Sequence, residues 1–307
     1  MTKVFIDGSA GTTGLRIHER LAARKDLMLL ALPDELRKNA EARREMLMSA
    51  DIAFLCLPDA AAIEAVALAR GSNVRIIDTS TAHRTDPAWV YGFAELSRRE
   101  QIASAKHVAN PGCHASGFLA LVAPLTAAGL LSPDVALTAF SLTGYSGGGK
   151  KMIAEYEDGA RSPLLSAPRQ YGLGQTHKHL PEMCVVAGLE NAPVFCPIVG
   201  DYYSGMEVTV PLLARDLSGT VQDILDVYRA TYKTPVVHVA DAPSEGGFLS
   251  AAAYAGRDDM ELSVAGNAER ILLTARFDNL GKGASGAAIQ NMNIMLGVDE
   301  TTGLIVS

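Results

Sequence analysis

The chain has 307 residues, long enough for two domains of about 150 residues each, and 27 Lys and Arg stand against 34 Asp and Glu for a formal net charge of −7. That balance provides no global positive field to hold a phosphate backbone, which argues against a nucleic-acid partner. With 48% hydrophobic and 20% charged residues, the composition is that of a packed globular protein, far from the disordered regime.

Three short apolar runs open the chain, Val4 to Ile6, Leu27 to Ala31 and Ile52 to Leu57. Each is followed by helical spacing or turn residues, the pattern of repeated strand, crossover helix and parallel strand. Val74 to Ile77 and His107 to Ala109 continue the series as a fourth and a fifth strand, as expected of a doubly wound sheet. Ala115 to Leu131 is the longest apolar stretch, but Ser116, Gly117, Pro124, Thr126 and Gly129 interrupt it, so it reads as a buried helix and not a membrane span. Beyond residue 114 longer alternating segments appear, among them Met206 to Val210 and Ile271 to Phe277, which suit an antiparallel sheet with one buried face. A helix over Thr220 to Tyr232 places Val221, Leu225, Tyr228 and Tyr232 on one side. The expected architecture is an α/β Rossmann-like nucleotide domain followed by an α+β domain with a mostly antiparallel sheet. Cys56, Cys113, Cys184 and Cys196 contain no CxxC pair, so reduced thiols are expected. Met1-Thr2-Lys3 runs straight into the first apolar run without a signal core, and a cytoplasmic location is expected.

Three constellations carry chemistry. Gly8-Ser9-Ala10-Gly11-Thr12-Thr13-Gly14 lies between the first strand and an amphipathic segment bearing Leu15, His18, Leu21 and Ala22. Glycines there let the backbone approach a pyrophosphate that N–H groups at the helix start then meet. About twenty residues on, Asp34 and Glu35 suit a ribose 2′-hydroxyl while Arg37 and Lys38 suit a 2′-phosphate, which leaves NAD against NADP open. In Asn110-Pro111-Gly112-Cys113-His114, a thiol in the first turn of a helix has its thiolate favoured by the macrodipole, and Cys113 is the expected nucleophile. The other three cysteines, in apolar or strand-like runs, read as inert. His177-Lys178-His179-Leu180-Pro181-Glu182 supplies an imidazole for acid/base work, with Glu182 to orient it. His179 is favoured over His177 because it lies closer to Glu182, and a metal site is disfavoured because no other His or Cys is near in sequence. Two further stretches offer anion donors: the glycine-rich Ser141 to Lys151, with Ser146, Gly147, Gly148 and Lys150 or Lys151, and Thr79 to Arg84, where Arg84 suits a carboxylate or a phosphate. Asn110 is a further candidate for the phosphate.

A dinucleotide loop, an activated cysteine and a histidine together suggest hydride chemistry on a thioester, since a free carboxylate is too electron-rich to accept hydride. The chain resembles the N-acetyl-gamma-glutamyl-phosphate reductase family in its shorter form, and more distantly the aspartate-semialdehyde dehydrogenases. The resemblance runs through Gly8 to Gly14, Asp78 to Arg84, Asn110 to His114, Ser146 to Lys150, His177 to Glu182 and Asp278 to Asn293; His114 and Lys178 fit the short form. It implies an NADP(H)-binding domain of residues 1–113 and 285–307, the latter carrying a helix at about Ala287 to Leu296, and a catalytic and oligomerisation domain of 114–284. It further implies Cys113 as nucleophile, the His177/His179 pair as the source of the acid/base, and Ser80, Asn279 and Gly283 near the cofactor. The implied reaction reduces N-acetyl-gamma-glutamyl phosphate to N-acetylglutamate 5-semialdehyde and phosphate, in arginine biosynthesis, by a homodimer or homotetramer. A reductase of aspartyl phosphate is the sibling alternative, which the HxHxPE element argues against. A non-catalytic dinucleotide sensor would not need Cys113 and the histidines together, and a cysteine hydrolase would leave the glycine loop unexplained.

Overall fold

The computed structural model describes residues 1–241 and 245–306. They divide into two compact units, the first of residues 1–94, 98–111 and 284–304, the second of residues 95–97, 112–283 and the chain end from Ile305.

The first unit is built on a six-stranded parallel sheet. In chain order its elements are β1 (Thr2–Asp7), α1 (Thr12–Ala22), β2 (Leu27–Leu30), α2 (Ala40–Ser49), β3 (Ile52–Leu55), α3 (Asp59–Leu68), β4 (Arg75–Asp78), β5 (Val90–Tyr91), α4 (Arg99–Ser104) and β6 (His107–Ala109). Strand order is β2-β1-β3-β4-β6-β5, with every pairing parallel. All four residues of β3 are buried, as a parallel strand covered on both faces requires. The pleat of β1 sends Val4 and Ile6 into one core, with Ile17, Leu21 and Phe54, and Phe5 into the other, with Leu47, Leu55 and Ala65. From β1 the chain crosses first to β2 on one side and then to β3 on the other, so the carboxyl ends of β1 and β3 form the topological switch point. Two differences from the sequence reading appear here. The two-residue strand β5 has no apolar run to announce it, and His107–Ala109 is therefore the sixth strand and not the fifth. Leu15 is 45% exposed, and the buried face of α1 is made by Gly14, Ile17 and Leu21.

The second unit opens with α5 (Cys113–Ala127), buried along nearly its whole length. It continues through β7 (Thr138–Gly144), α6 (Gly149–Glu157), β8 (Arg169–Gln170), α7 (Leu180–Ala187), β9 (Val194–Gly200), β10 (Met206–Leu213), α8 (Val221–Thr231), β11 (Val237–Val239), β12 (Met260–Gly266) and β13 (Arg270–Phe277). The helix α9 (Gly286–Leu296) then returns the chain to the first unit. The second sheet has the order β11-β12-β13-β10-β7-β9-β8 and is mixed: β11 with β12 and β7 with β9 run parallel, the remaining pairs antiparallel. One of its faces packs on α5, where Gly117 lets the helix approach Val208 and Phe277. On the opposite face Phe140, Val194 and Leu272 are exposed. The segment after β7 differs from the expected loop, since a 3-10 turn over Tyr145–Gly148 leads into α6, which carries Lys150 and Lys151. Helix α8 is started by a capping box between Thr220 and Asp223, and buries Ile224 and Tyr228 while Val221 and Leu225 stay half-buried.

Candidate active site

At the carboxyl end of β1, Gly8 holds φ +88°, and a Cβ there would lie 2.3 Å from the Cys56 carbonyl oxygen. Gly14, in the first turn of α1, lets the helix press on the same loop, since its Cβ would fall 2.4 Å from the Gly8 oxygen. Gly11 is the N-cap residue of α1, and its N–H donates to Gly8 O at 3.0 Å. Helix N–H groups at Thr12 and Thr13 thus start beside a strand end, and the N-cap residue Gly11 makes no side-chain cap bond. A cleft of about 320 Å³ borders the loop, lined among others by Asp7, Gly8, Ser9, Leu30, Arg37 and Lys38. This loop, closely packed on its own backbone, beside a cleft lined by Arg37 and Lys38, fits a phosphorylated dinucleotide. Arg37 is paired to Asp34 at 2.5 Å. Deeper in the unit, Arg43 Nε donates to Asp7 Oδ2 at 3.0 Å and its Nη1 to Glu64 at 2.9 Å. Burial pushes the Asp7 carboxyl up, and Arg43 opposes the shift.

Around Asp78 two expected ligands bond to groups of the protein. Ser80 gives its N–H and its hydroxyl to the Asp78 carboxylate at 2.9 and 2.7 Å, and His83 Nδ1 meets the same carboxylate at 2.7 Å. Arg84 is buried and donates to the carbonyls of Asn110 and Thr79, both at 3.0 Å. Asn110 is a hub. Its N–H donates to Asp78 O, its amide donates to Ala284 O, and its side-chain oxygen accepts from Asn291. Arg84 and Asn110, both expected as anion ligands, thus also brace the backbone that leads to Cys113; the spacing of charged residues does not reveal that a guanidinium is buried.

Cys113 is the first residue of α5 and is half-buried, and none of the four cysteines forms a disulfide. Burial pushes the Cys56 thiol up to about 12, in keeping with an inert role. The turn before Cys113 is tied to the histidine element inside the second unit. Gly112 N–H donates to Glu182 Oε2 at 3.2 Å, and the other carboxylate oxygen lies 3.9 Å from His179 Nε2. Glu182 and His179 are only 1% and 4% exposed, and α5 packs against α7, which carries Glu182. Pro181 at the start of α7 suits a helix N-terminus, where its missing N–H costs nothing. His177 is half-buried, and its Nδ1 accepts from the His179 N–H at 3.3 Å. Burial, with Lys178 beside it, lowers its pKa.

The remaining expected residues fall into two groups. Gly147, Gly148 and Lys150 are exposed, whereas Ser146 is buried and accepts from the Asn279 amide at 3.0 Å. Asn279 also accepts from Gly205 N–H at 2.9 Å, so it braces the second unit. Gly283 stands against the expected nucleophile, with a Cβ there only 3.0 Å from Cys113 Cβ. Sequence reasoning missed three side chains. His114 follows Cys113, its Nδ1 meeting Ser141 Oγ at 2.6 Å and its Nε2 meeting Tyr171 Oη at 2.7 Å. Its ring lies 5.5 Å from those of both His177 and His179. The signal available for it was position alone, next to Cys113, while Ser141 and Tyr171 carry none. Among the described residues no group of His, Cys, Asp and Glu is arranged to hold a metal ion.

The family description "semialdehyde dehydrogenase, NAD binding domain" matches residues 3–105, and "semialdehyde dehydrogenase, dimerisation domain" matches 113–279. Proteins named N-acetyl-gamma-glutamyl-phosphate reductase from Sinorhizobium medicae (strain WSM419) and Rhizobium meliloti (strain 1021) are 48% and 49% identical to this chain, each covering 96% of it and 98% of their own length. In fold the chain is similar to aspartate semialdehyde dehydrogenase II of Vibrio cholerae, with TM-score 0.73 at 18% identity over 97% of this chain and 99% of that one. Aspartate semialdehyde dehydrogenase of Candida albicans, solved with NADP, gives TM-score 0.64 at 14% identity over 96% and 98%. With both parts of the semialdehyde dehydrogenase pattern matched, and nearly its whole length shared with such relatives, the chain belongs to the semialdehyde dehydrogenase family, in its N-acetyl-gamma-glutamyl-phosphate reductase branch.

Proposed function

We propose that the protein is an NADP-dependent reductase that converts N-acetyl-gamma-glutamyl phosphate to N-acetylglutamate 5-semialdehyde and phosphate in arginine biosynthesis. The observation that carries the reading is Cys113 at the start of α5, joined through Gly112 and Glu182 to His179. The first unit is assigned to the dinucleotide and the second to the cysteine chemistry.

Cys113 attacks the acyl carbon as a thiolate, favoured by the helix start, and phosphate leaves with the electron pair of the broken C–O bond. His179 holds the proton: the Glu182 carboxylate stabilises the charged ring at Nε2, and Nδ1 exchanges a proton with the reacting groups. Gly8, Ser9, Gly11, Thr12, Thr13 and Gly14 would hold the pyrophosphate, and Arg37 and Lys38 the 2′-phosphate. When bound, the reduced cofactor supplies the hydride that turns the thioester to the aldehyde level. Gly147, Gly148 and Lys150 remain the donors for the leaving phosphate, because their exposure leaves them accessible.

The protein forms a homo-oligomer through the face of the second sheet that exposes Phe140, Val194 and Leu272, an apolar surface suited to a second copy. It works in the cytoplasm, in keeping with reduced thiols; among the described residues no helix is long and apolar enough to cross a membrane. The test is NADP reduction with N-acetylglutamate semialdehyde, with and without phosphate, against aspartate semialdehyde. Phosphate-dependent oxidation of the acetylated aldehyde is expected. Phosphate-independent turnover, or preference for aspartate semialdehyde, would refute the assignment.

A further inference from the structure

The chain Ser141 Oγ, His114 and Tyr171 Oη contains two hydrogen bonds, 2.6 and 2.7 Å long, and three protons to distribute if the imidazole is neutral. Neutral it is, since burial, with His177 and Lys178 adding to it, holds the His114 pKa down at about 3. Ser141 is fully buried, and its hydroxyl meets only His114 among the described residues. Were the ring proton on Nδ1, Ser141 would accept it and its own hydrogen would be buried without an acceptor, a cost that native interiors avoid. With the proton on Nε2, Ser141 donates to Nδ1, Nε2–H donates to Tyr171 Oη, and no donor is left buried. The phenolic proton of Tyr171, a half-buried residue, is then directed to a group outside this chain of three. Burial resists ionisation of the phenol and the nearby Cys113 charge adds to it, so Tyr171 stays a donor.

We infer that Tyr171 O–H donates a hydrogen bond to the carbonyl oxygen of the acyl group attacked by Cys113, with His114 and Ser141 as positioning residues that fix its direction. The inference rests on the reductase reading. As the sulfur–carbon bond forms, the carbonyl π pair moves to oxygen and Tyr171 meets the developing charge. When the C=O bond reforms, the C–O bond to phosphate breaks and phosphate carries off the pair. Tyr171 transfers no proton in this step.

The test needs no dinucleotide. Acylation of Cys113 by N-acetyl-gamma-glutamyl phosphate is followed by rapid quenching and mass spectrometry of the full chain, with iodoacetamide alkylation as a control that passes through no oxyanion. Tyr171→Phe is expected to slow acylation about 10²–10³-fold, the usual loss for one oxyanion donor, and to leave alkylation within about threefold. Ser141→Ala is expected to slow acylation about tenfold, and nitrogen-15 NMR of His114 should report the proton on Nε2 in the wild type. Normal acylation in Tyr171→Phe, equal losses of acylation and alkylation, or a proton on Nδ1 would each overturn the inference while leaving the reductase reading intact. A wild-type enzyme that is not acylated at all would overturn that reading, and this one with it.

Discussion

Gly283→Ala tests how rigidly the backbone beside Cys113 is held. A Cβ at this position lies 3.0 Å from Cys113 Cβ, 3.1 Å from the Asp278 carbonyl oxygen and 3.3 Å from Phe277 Cε2, where relaxed carbon contacts begin at about 3.5 Å. None of these atoms is the free end of a flexible side chain. The turn itself has little room to swing. Gly283 N–H donates to Asp278 O at 3.0 Å, and Lys282 Nζ sits 2.9 and 3.0 Å from the buried Glu95 carboxylate. Asp278 in turn accepts from Leu280 N–H at 2.7 Å and Ser204 Oγ at 3.1 Å. Overpacking of this kind costs about 1–3 kcal/mol. Alanine recovers about 0.4–1 kcal/mol by restricting the unfolded chain, so the net loss lies between about 0 and 2.6 kcal/mol, centred near about 1.3 kcal/mol. Movement of Cys113 by a few tenths of an ångström should lower kcat about three- to tenfold, given that misplacement by 1 Å costs about a hundredfold. Urea unfolding with an unchanged m-value reads the stability, and iodoacetamide labelling together with turnover reads the cysteine. A variant as stable as the wild type, with full turnover, would show that the turn yields and that the tight contact has no consequence.

Replacing both Arg37 and Lys38 by Ala should lower the preference for NADPH over NADH about tenfold or more, read as the ratio of kcat/KM values; an unchanged ratio would place the 2′-phosphate elsewhere. His179→Asn should lower turnover about 10²-fold or more with little change in dinucleotide affinity, and a larger loss in His177→Asn would reverse the assignment. His114 makes stability depend on pH. Its folded-state pKa of about 3 lies below the ordinary 6.5, so as pH falls below about 6.5 the unfolded chain takes up a proton that the folded one refuses. The contribution is full above that pH and is lost by about 1.4 kcal/mol per pH unit down to about pH 3. His114→Gln should remove this slope, and parallel stability curves for the two proteins between pH 6 and about 4 would contradict it.

The parts of the molecule legible in the sequence are those where local pattern and environment agree. Strands β1 and β3 announce themselves because they are short, apolar and covered on both faces, and the glycine loop because Gly8 and Gly14 are demanded by close backbone approach. Strand β5, by contrast, is two residues long and exists through its pairing with β6, a tertiary event with no local signal. Glu182 was readable as a partner of His179 from its place three residues on, but not as the acceptor for Gly112, seventy residues away. Arg84 shows the limit in the other direction. As a cation near a strand end it has the pattern of an anion ligand, and only the fold reveals that two backbone carbonyls take its N–H groups. Tyr171 reaches His114 across 57 residues, so no spacing rule could have found it.

The central claim is that substrate becomes covalently attached to Cys113 before it is reduced. Mass spectrometry of the enzyme mixed with N-acetyl-gamma-glutamyl phosphate tests it most directly, with NADPH withheld and then added. The account predicts a single N-acetylglutamyl adduct on the peptide that contains Cys113, absent from Cys113→Ser, and discharged as the semialdehyde once NADPH is supplied. Full turnover by Cys113→Ser, or an adduct on any other residue that NADPH discharges at the same rate, would contradict it.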